Sequence, residues 1–179
     1  FSVSVSEDTE IGHNISFDLS ISGDNEFVSM DNFTLAIGLV LEDYEMGNFG
    51  GHQWEFGGNT PWIISNEAYE GSYCAQSGAI SNVQTTEMSV ALNVTTDGEI
   101  SFFYKVSSEA GYDYLRFFID ATEMGAWSGN VNWLQATYPV IQGDHTFRWV
   151  YEKDSSVSDG SDCAWIDYVI FPSVSPPQY

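Results

Sequence analysis

Alternation with a period of two runs through nearly the whole sequence and leaves little room for anything but strands. Apolar and small or polar residues take turns over 2–6, 15–22, 33–41, 88–95, 100–106, 114–120, 134–140, 145–152 and 164–171. In an extended chain successive side chains point to opposite faces, so each run reads as a half-buried strand. No ten-residue stretch carries the 3.6-residue period of an amphipathic helix. Turn chemistry separates the runs at Ser22-Gly23-Asp24-Asn25, Thr96-Asp97-Gly98, 108–112, Gln142-Gly143-Asp144 and 158–162. Gly, Asn and Asp supply the backbone conformations that tight reversals need. Many short strands at this spacing predict an all-β antiparallel sandwich.

The chain has 179 residues, enough for one sizeable core or two small ones. It is 43% hydrophobic and 16% aromatic, too apolar for a disordered segment. Its 26 acids against 4 bases give a formal charge of −22, which repels a polyanion and excludes nucleic acid as a partner. All four cations lie between Lys105 and Lys153, so the first 104 residues carry acids alone. Such a surface suits a salty exterior or divalent cations. The apolar run 33–41 falls far short of the roughly 18 to 20 residues of a membrane span, so no transmembrane segment is expected. The expected context is a larger secreted protein of which these residues are a piece, at an extracellular or cell-surface location.

Residues 1–41 supply only about three strands, too few to cover both faces of a sheet. They read as the C-terminal part of an immunoglobulin-like β domain, or as strands that pair with the rest of the chain or self-associate with another copy. A boundary follows at 41/42, where Glu42-Asp43-Tyr44-Glu45-Met46-Gly47-Asn48 opens a Gly-rich loop, and residues 173–179 read as a linker or tail. Cys74 and Cys163 belong to no Cys-x-x-Cys pair. A structural disulfide between them is the preferred expectation, against two buried thiols. Asn14, Asn32 and Asn93 begin Asn-x-Ser/Thr triplets, which matter only in a glycosylating host.

From Asp43 to Pro172 the sequence resembles the cleaved-adhesin domains of gingipain-like cysteine peptidases, a module of secreted Bacteroidetes-type proteins. The resemblance rests on an ordered set: Leu41-Glu42-Asp43-Tyr44-Glu45, Trp62-Ile63-Ile64-Ser65 with Tyr69-Glu70-Gly71-Ser72-Tyr73, residues 100–109, and Asp162-Cys163-Ala164-Trp165-Ile166-Asp167. Such modules are similar in fold to meprin-type domains and to carbohydrate-binding jelly rolls. The resemblance therefore implies a jelly-roll β-sandwich over 42–172, a non-catalytic adhesion or ligand-binding role, and a structural calcium. Calcium takes six to eight oxygen ligands in flexible geometry. Jelly rolls bring first and last strands together, which makes Asp43, Glu45 and Asp167 the expected ligands. A weaker set, Asp154, Asp159 and Asp162, lies around a Gly turn whose spacing departs from the EF-hand pattern. The family commonly ends in Ile-Asp-Asp, whereas Asp167 is followed by Tyr168, which removes one potential ligand.

Six Trp and ten Tyr invite a sugar-binding reading, although most rings must fill a core. Trp127 and Trp133 stand apart because they flank Ser128-Gly129-Asn130-Val131-Asn132, a polar, turn-rich stretch where a ring can stay accessible. Trp127, Asn130, Asn132 and Trp133 are thus the expected ligand contacts, against structural packing of both rings. Lys105, Arg116 and Arg148 sit within strand-like runs and read as partners of nearby acids, or as one small cationic patch. No Gly-x-Ser-x-Gly elbow, His-Glu-x-x-His helix or phosphate-binding loop is present. A Cys-His pair of Cys74 or Cys163 with His145 is formally open but lies in strand-like segments. The expectation is a non-enzymatic module that binds a glycan or a protein surface, with a structural or assembly module as the alternative.

Overall fold

A computed structural model of the chain describes residues 14–22, 28–36 and 40–174, which fall into two units, residues 1–39 and 40–179. The expected run 2–6 and the tail 175–179 lie outside the described residues. The first unit contains a hairpin of β1 (Asn14–Ser22) and β2 (Val28–Ala36), paired without interruption from Asn14↔Ala36 to Ser22↔Val28. This hairpin stands where the partial immunoglobulin-like segment was expected.

The second unit is a sandwich of short and long strands: β3 (Val40–Glu42), β4 (Glu55–Gly58), β5 (Ile63–Ser65), β6 (Cys74–Gln76), β7 (Thr85–Val94), β8 (Gly98–Ser107), β9 (Tyr114–Ile119), β10 (Thr122–Ser128), β11 (Asn130–Val140), β12 (Gly143–Glu152) and β13 (Cys163–Phe171). One antiparallel sheet has the order β10-β9-β12-β7-β4, the other β11-β8-β13-β6-β5, with β3 also on β13. Because β3 pairs with β13 from Val40, the unit begins two residues before the expected boundary. Its end also differs from expectation: Ser173 accepts the Thr95 amide and Val174 bridges Val94, so these two residues belong to the sandwich rather than to a tail.

Alternation sets the core. On β8, Ile100, Phe102, Tyr104 and Val106 are buried while Ser101, Phe103, Lys105 and Ser107 face outward and are half-buried. Met88 and Val90 of β7, Leu115 and Phe117 of β9, and Phe147 and Trp149 of β12 meet them from the other sheet. Burial of each large side chain contributes about 1.5 to 3 kcal/mol.

Two departures from regular alternation shape the six-stranded sheet. In β13 the register against β8 shifts between Asp167 and Ile170, with Tyr168 at φ 49. The shift lets Ala164 and Ile166 face inward before it and Val169 and Phe171 face inward after it. In β11 the register shifts between Val131 and Leu134, so Asn132 and Trp133 together oppose Lys105. Just before this bulge, Gly129 takes φ 79, and the chain crosses there from β10 in one sheet to β11 in the other.

Candidate functional site

The outer face of the six-stranded sheet carries a groove of about 190 Å³ lined by Glu67, Lys105, Val106, Ser107, Asn130, Val131, Asn132, Ser161 and Trp165. Strand β8 runs along its floor. The bulge in β11 brings Asn132 to one bank, and β13 with the loop before it supplies Trp165 and Ser161 to the other. Lys105 Nζ donates to Glu67 Oε1 at 2.6 Å and lies 4.9 Å from the centre of the Trp165 ring. Ser107 Oγ donates to Asn130 Oδ1 at 3.1 Å and accepts the Ser161 amide at 2.9 Å. Trp165 Nε1 donates to Gln76 Oε1 at 3.0 Å, which fixes the indole against the sheet. Beyond Glu67 the face is covered: the Tyr69 ring stacks on Phe103 at 3.6 Å and meets Trp133 edge-on at 6.1 Å.

The four expected ligand contacts are divided by the sheet crossing at Gly129. Asn130 and Asn132 line the groove, and Trp133 packs beside it with Trp165 and the two cysteines. Trp127 points the other way: its ring stacks on Tyr104 at 4.1 Å and packs against the main core. The polar stretch between the two indoles is therefore a strand-to-strand corner, and Trp127 takes the structural role. Glu67, Lys105, Ser161 and Trp165 were not anticipated as groove residues. The outward phase of Lys105 on β8 was a signal for one of them; the others arrive by long-range pairing.

The loop that covers this face is held by two carboxylates. Asp167 Oδ2 accepts the amides of Tyr69 at 2.8 Å and Glu70 at 3.1 Å, and Oδ1 accepts that of Tyr168 at 2.7 Å. Glu45 Oε1 accepts the amides of Ser72 and Tyr73, both at 2.8 Å, and Asp43 Oδ1 accepts the Glu45 amide at 3.1 Å. Asp167 is fully buried. Burial pushes its carboxyl up to about 6, a rise that its three amide donors oppose and that the charge of Glu45 adds to. The structure thus brings Glu45 and Asp167 to one loop, but as acceptors for backbone N–H groups.

Among the described residues the carboxylates close enough to share a cation are those of Glu109, Asp113 and Asp154, whose oxygens lie within 4.8 Å of one another. This cluster could hold a metal ion. Asp113 is fully buried, its Oδ2 accepting from Lys153 Nζ at 2.9 Å and its Oδ1 from the Asp154 amide at 2.9 Å. Glu109 Oε2 is buried without a hydrogen-bond partner. Burial of that carboxyl and the charges of Asp154, Asp113 and Asp159 push its pKa up, against the pull of Lys153. The weaker expected set is dispersed. Asp154 joins this cluster, Asp159 accepts its neighbour's amide at Gly160, and Asp162 accepts from Tyr151 and Lys153.

The expected disulfide is corrected: Cys74 and Cys163 are free, buried thiols. Strand β6 pairs with β13 at Gln76↔Trp165 and Ala75↔Ile166, and this register carries Cys74 opposite Asp167 and Cys163 opposite Gly78. Four residues of strand separate them, about 13 Å, well beyond the ~7 Å reach of a disulfide between Cα atoms. Trp165 lies between them in the same cluster. Burial pushes both thiols up to about 12, with Asp167 adding to the rise at Cys74 and Asp162 at Cys163. Thiols so protonated at neutral pH give a Cys-His nucleophile no basis. The cations do not form one patch either: Lys105 is on this face, whereas Arg116 pairs with Glu152 and Glu123, and Arg148 with Glu87, on the five-stranded sheet.

No protein-family model and no curated protein matches the sequence. Solved structures do match in fold. The K3 cleaved-adhesin domain of Lys-gingipain from Porphyromonas gingivalis covers 74% of this chain and 95% of its own, at 12% identity and a TM-score of 0.55.

The fold is that of the cleaved-adhesin domains.

The carbohydrate-binding module TmCBM61, solved in complex with β-1,4-galactotriose, is similar at 16% identity and a TM-score of 0.54, covering 73% of this chain and 94% of its own. The secreted serine protease VesC of Vibrio cholerae matches 95% of this chain at 18% identity and a TM-score of 0.56. This chain spans about a third of VesC, the match covering 35% of that protein. The neighbours are largely β-sandwich binding and adhesin modules, with an all-β architecture like the one described above.

Proposed function

We propose that this chain is a non-catalytic, extracellular recognition module that binds carbohydrate in the groove over β8. The observation that carries the reading is the make-up of the groove: Lys105, Glu67, Asn130, Asn132 and Ser161 line it together with Trp165. A sugar offers hydroxyls that both donate and accept. Ammonium, carboxylate and amide groups answer both kinds of bond. The galactotriose complex of TmCBM61 and the adhesin domains, which share the fold, support the reading, and the secreted VesC supports the location. Lys105 and Glu67 cancel one another, and the chain's charge of −22 disfavours an acidic glycan, so the ligand is neutral.

Calcium, on this reading, stabilises the sandwich at Glu109, Asp113 and Asp154 and is not held by Asp43, Glu45 and Asp167. The buried, unpartnered Glu109 Oε2 and the closeness of its oxygens to those of Asp113 and Asp154 favour the first set. A panel of neutral and acidic glycans tests the main claim, with Asn132→Ala and Trp133→Ala compared after each is checked for folding. Binding of a neutral glycan that Asn132→Ala weakens supports it. Equal binding by wild type and Asn132→Ala places the site elsewhere, and no binding across the panel overturns the carbohydrate reading.

A further inference from the structure

We infer that the groove holds a single terminal ring of a neutral glycan, recognised through its hydroxyls, and does not track the interior of a polysaccharide. The inference rests on the carbohydrate reading above and concerns which part of the glycan is bound. Side-chain contacts bridge the groove at both ends. At one end the Lys105–Glu67 ion pair, 2.6 Å long, reaches from the floor to the covering loop. At the other, Ser107 Oγ ties Asn130 on one bank to the Ser161 amide on the other. Gly160, at φ +69, seals this end so closely that a Cβ there would meet Ser107 Oγ and stand 3.3 Å from Asn130 Oδ1. A polysaccharide threaded along the sheet needs two open ends. Here each end is bridged by a polar contact.

Its size agrees. About 190 Å³ lies below the ~300 Å³ at which sites for drug-sized ligands begin, so a second ring has no room inside. The exposed ring nearby, Tyr69, stacks on Phe103 beyond the Lys105–Glu67 pair and is not part of the groove lining. Inside the groove the Lys105 ammonium lies over the Trp165 ring, which is itself buried. Within the groove, hydrogen bonds then carry recognition. Lys105 keeps two of its three donors after the bond to Glu67. Asn132 is exposed and, among the described residues, has no hydrogen-bond partner, which leaves its amide for the ring. Glu67 and Asn132 both line the groove, so one ring seated in it meets both.

The test measures affinity per chain end for galactose, glucose, xylose and mannose and for their linear trimers and hexamers, by calorimetry on the whole chain. The expected result is that any sugar that binds does so with less than a threefold change from one ring to six. Masking the hydroxyls of the terminal rings at both chain ends as methyl ethers should remove binding. Asn132→Ala and Glu67→Gln should each weaken it about tenfold, with thermal midpoints near wild type. A rise of more than tenfold from one ring to six, or retained binding after masking, overturns the single-ring inference and leaves the carbohydrate reading standing. Undiminished affinity in both variants shows that binding does not occur in this groove and overturns the inference as well. No binding by any probe defeats both.

Discussion

The two outer faces of the sandwich use the same chemistry and reach different ends. On the five-stranded sheet Arg116 lies 4.7 Å from the Tyr114 ring centre and pairs with Glu152 and Glu123, and Arg148 lies 4.3 Å from that of Phe118 and pairs with Glu87. On the six-stranded sheet Lys105 lies over Trp165 and pairs with Glu67. The carboxylates of the first face come from strands within the sheet, β7, β10 and β12, so each cation is neutralised in plane. The partner of Lys105 comes from a loop 38 residues away. A loop stands above the sheet, and a bulge in β11 turns two residues toward it. Cation, ring and carboxylate alone make a flat, neutral surface; the loop and the bulge make a groove.

The contrast is broken most severely by removing what holds the loop. Asp167→Ala leaves three amides without an acceptor, and we expect a loss of about 3 to 5 kcal/mol in urea unfolding. Arg116→Ala, on the flat face, should cost under about 1 kcal/mol. Comparable losses for the two would mean that the loop is held by packing and not by Asp167.

Asp167 also gives its face a pH dependence. Its folded pKa, about 6, stands above the ordinary aspartate value. Its contribution to stability is therefore fully present below about pH 3.9 and is lost as pH rises through 6, by some 2 to 3 kcal/mol in all. Asp167→Asn cannot ionise, so the stability gap between it and wild type should move in its favour by that amount from pH 4 to pH 6.5. A constant gap would show that the buried carboxyl titrates normally.

Calcium at the Glu109 cluster should raise stability by about 2.7 kcal/mol at a hundredfold excess over Kd. Glu109→Gln should abolish the difference between calcium and chelator in thermal unfolding, and Asp43→Asn should preserve it. The reverse pattern would return the ion to the first-strand acids. The smallest effect is expected from reductant: because the cysteines are free, dithiothreitol should leave the unfolding midpoint unchanged, and both thiols should alkylate only after denaturation. A mass two units lighter before reduction would restore the disulfide.

Much of the sandwich was legible along the chain. The runs at 100–106, 114–120 and 145–152 fall within or beside β8, β9 and β12, because alternation is a local property of a strand with one buried face. Strands β4, β5 and β6 span three or four residues each, too few to display a period. Strand β10, Thr-Glu-Met-Gly-Ala-Trp-Ser, is extended because a turn at Asp120 folds it back on β9, not because its residues favour strand. The 128–132 stretch reads along the chain as polar and turn-rich, and it holds Gly129, where the chain passes from one sheet to the other. Its consequence for Trp127 and Trp133 was hidden, since a corner between two sheets and a surface loop have the same composition.

By itself the sequence determined the all-β class, the inward and outward phases of the long strands, and a formal charge of −22. It also carried the two asparagines that line the groove. Tertiary structure decided which residues meet there. Glu67 reaches Lys105, Asp167 reaches Tyr69 across 98 positions, and Cys74 is carried four residues out of step with Cys163, all through pairing register. Register is a relation between distant segments, set by which long strands bury their apolar faces together. A period of two states which side of a strand is buried, but not which strand lies beside it or how far along.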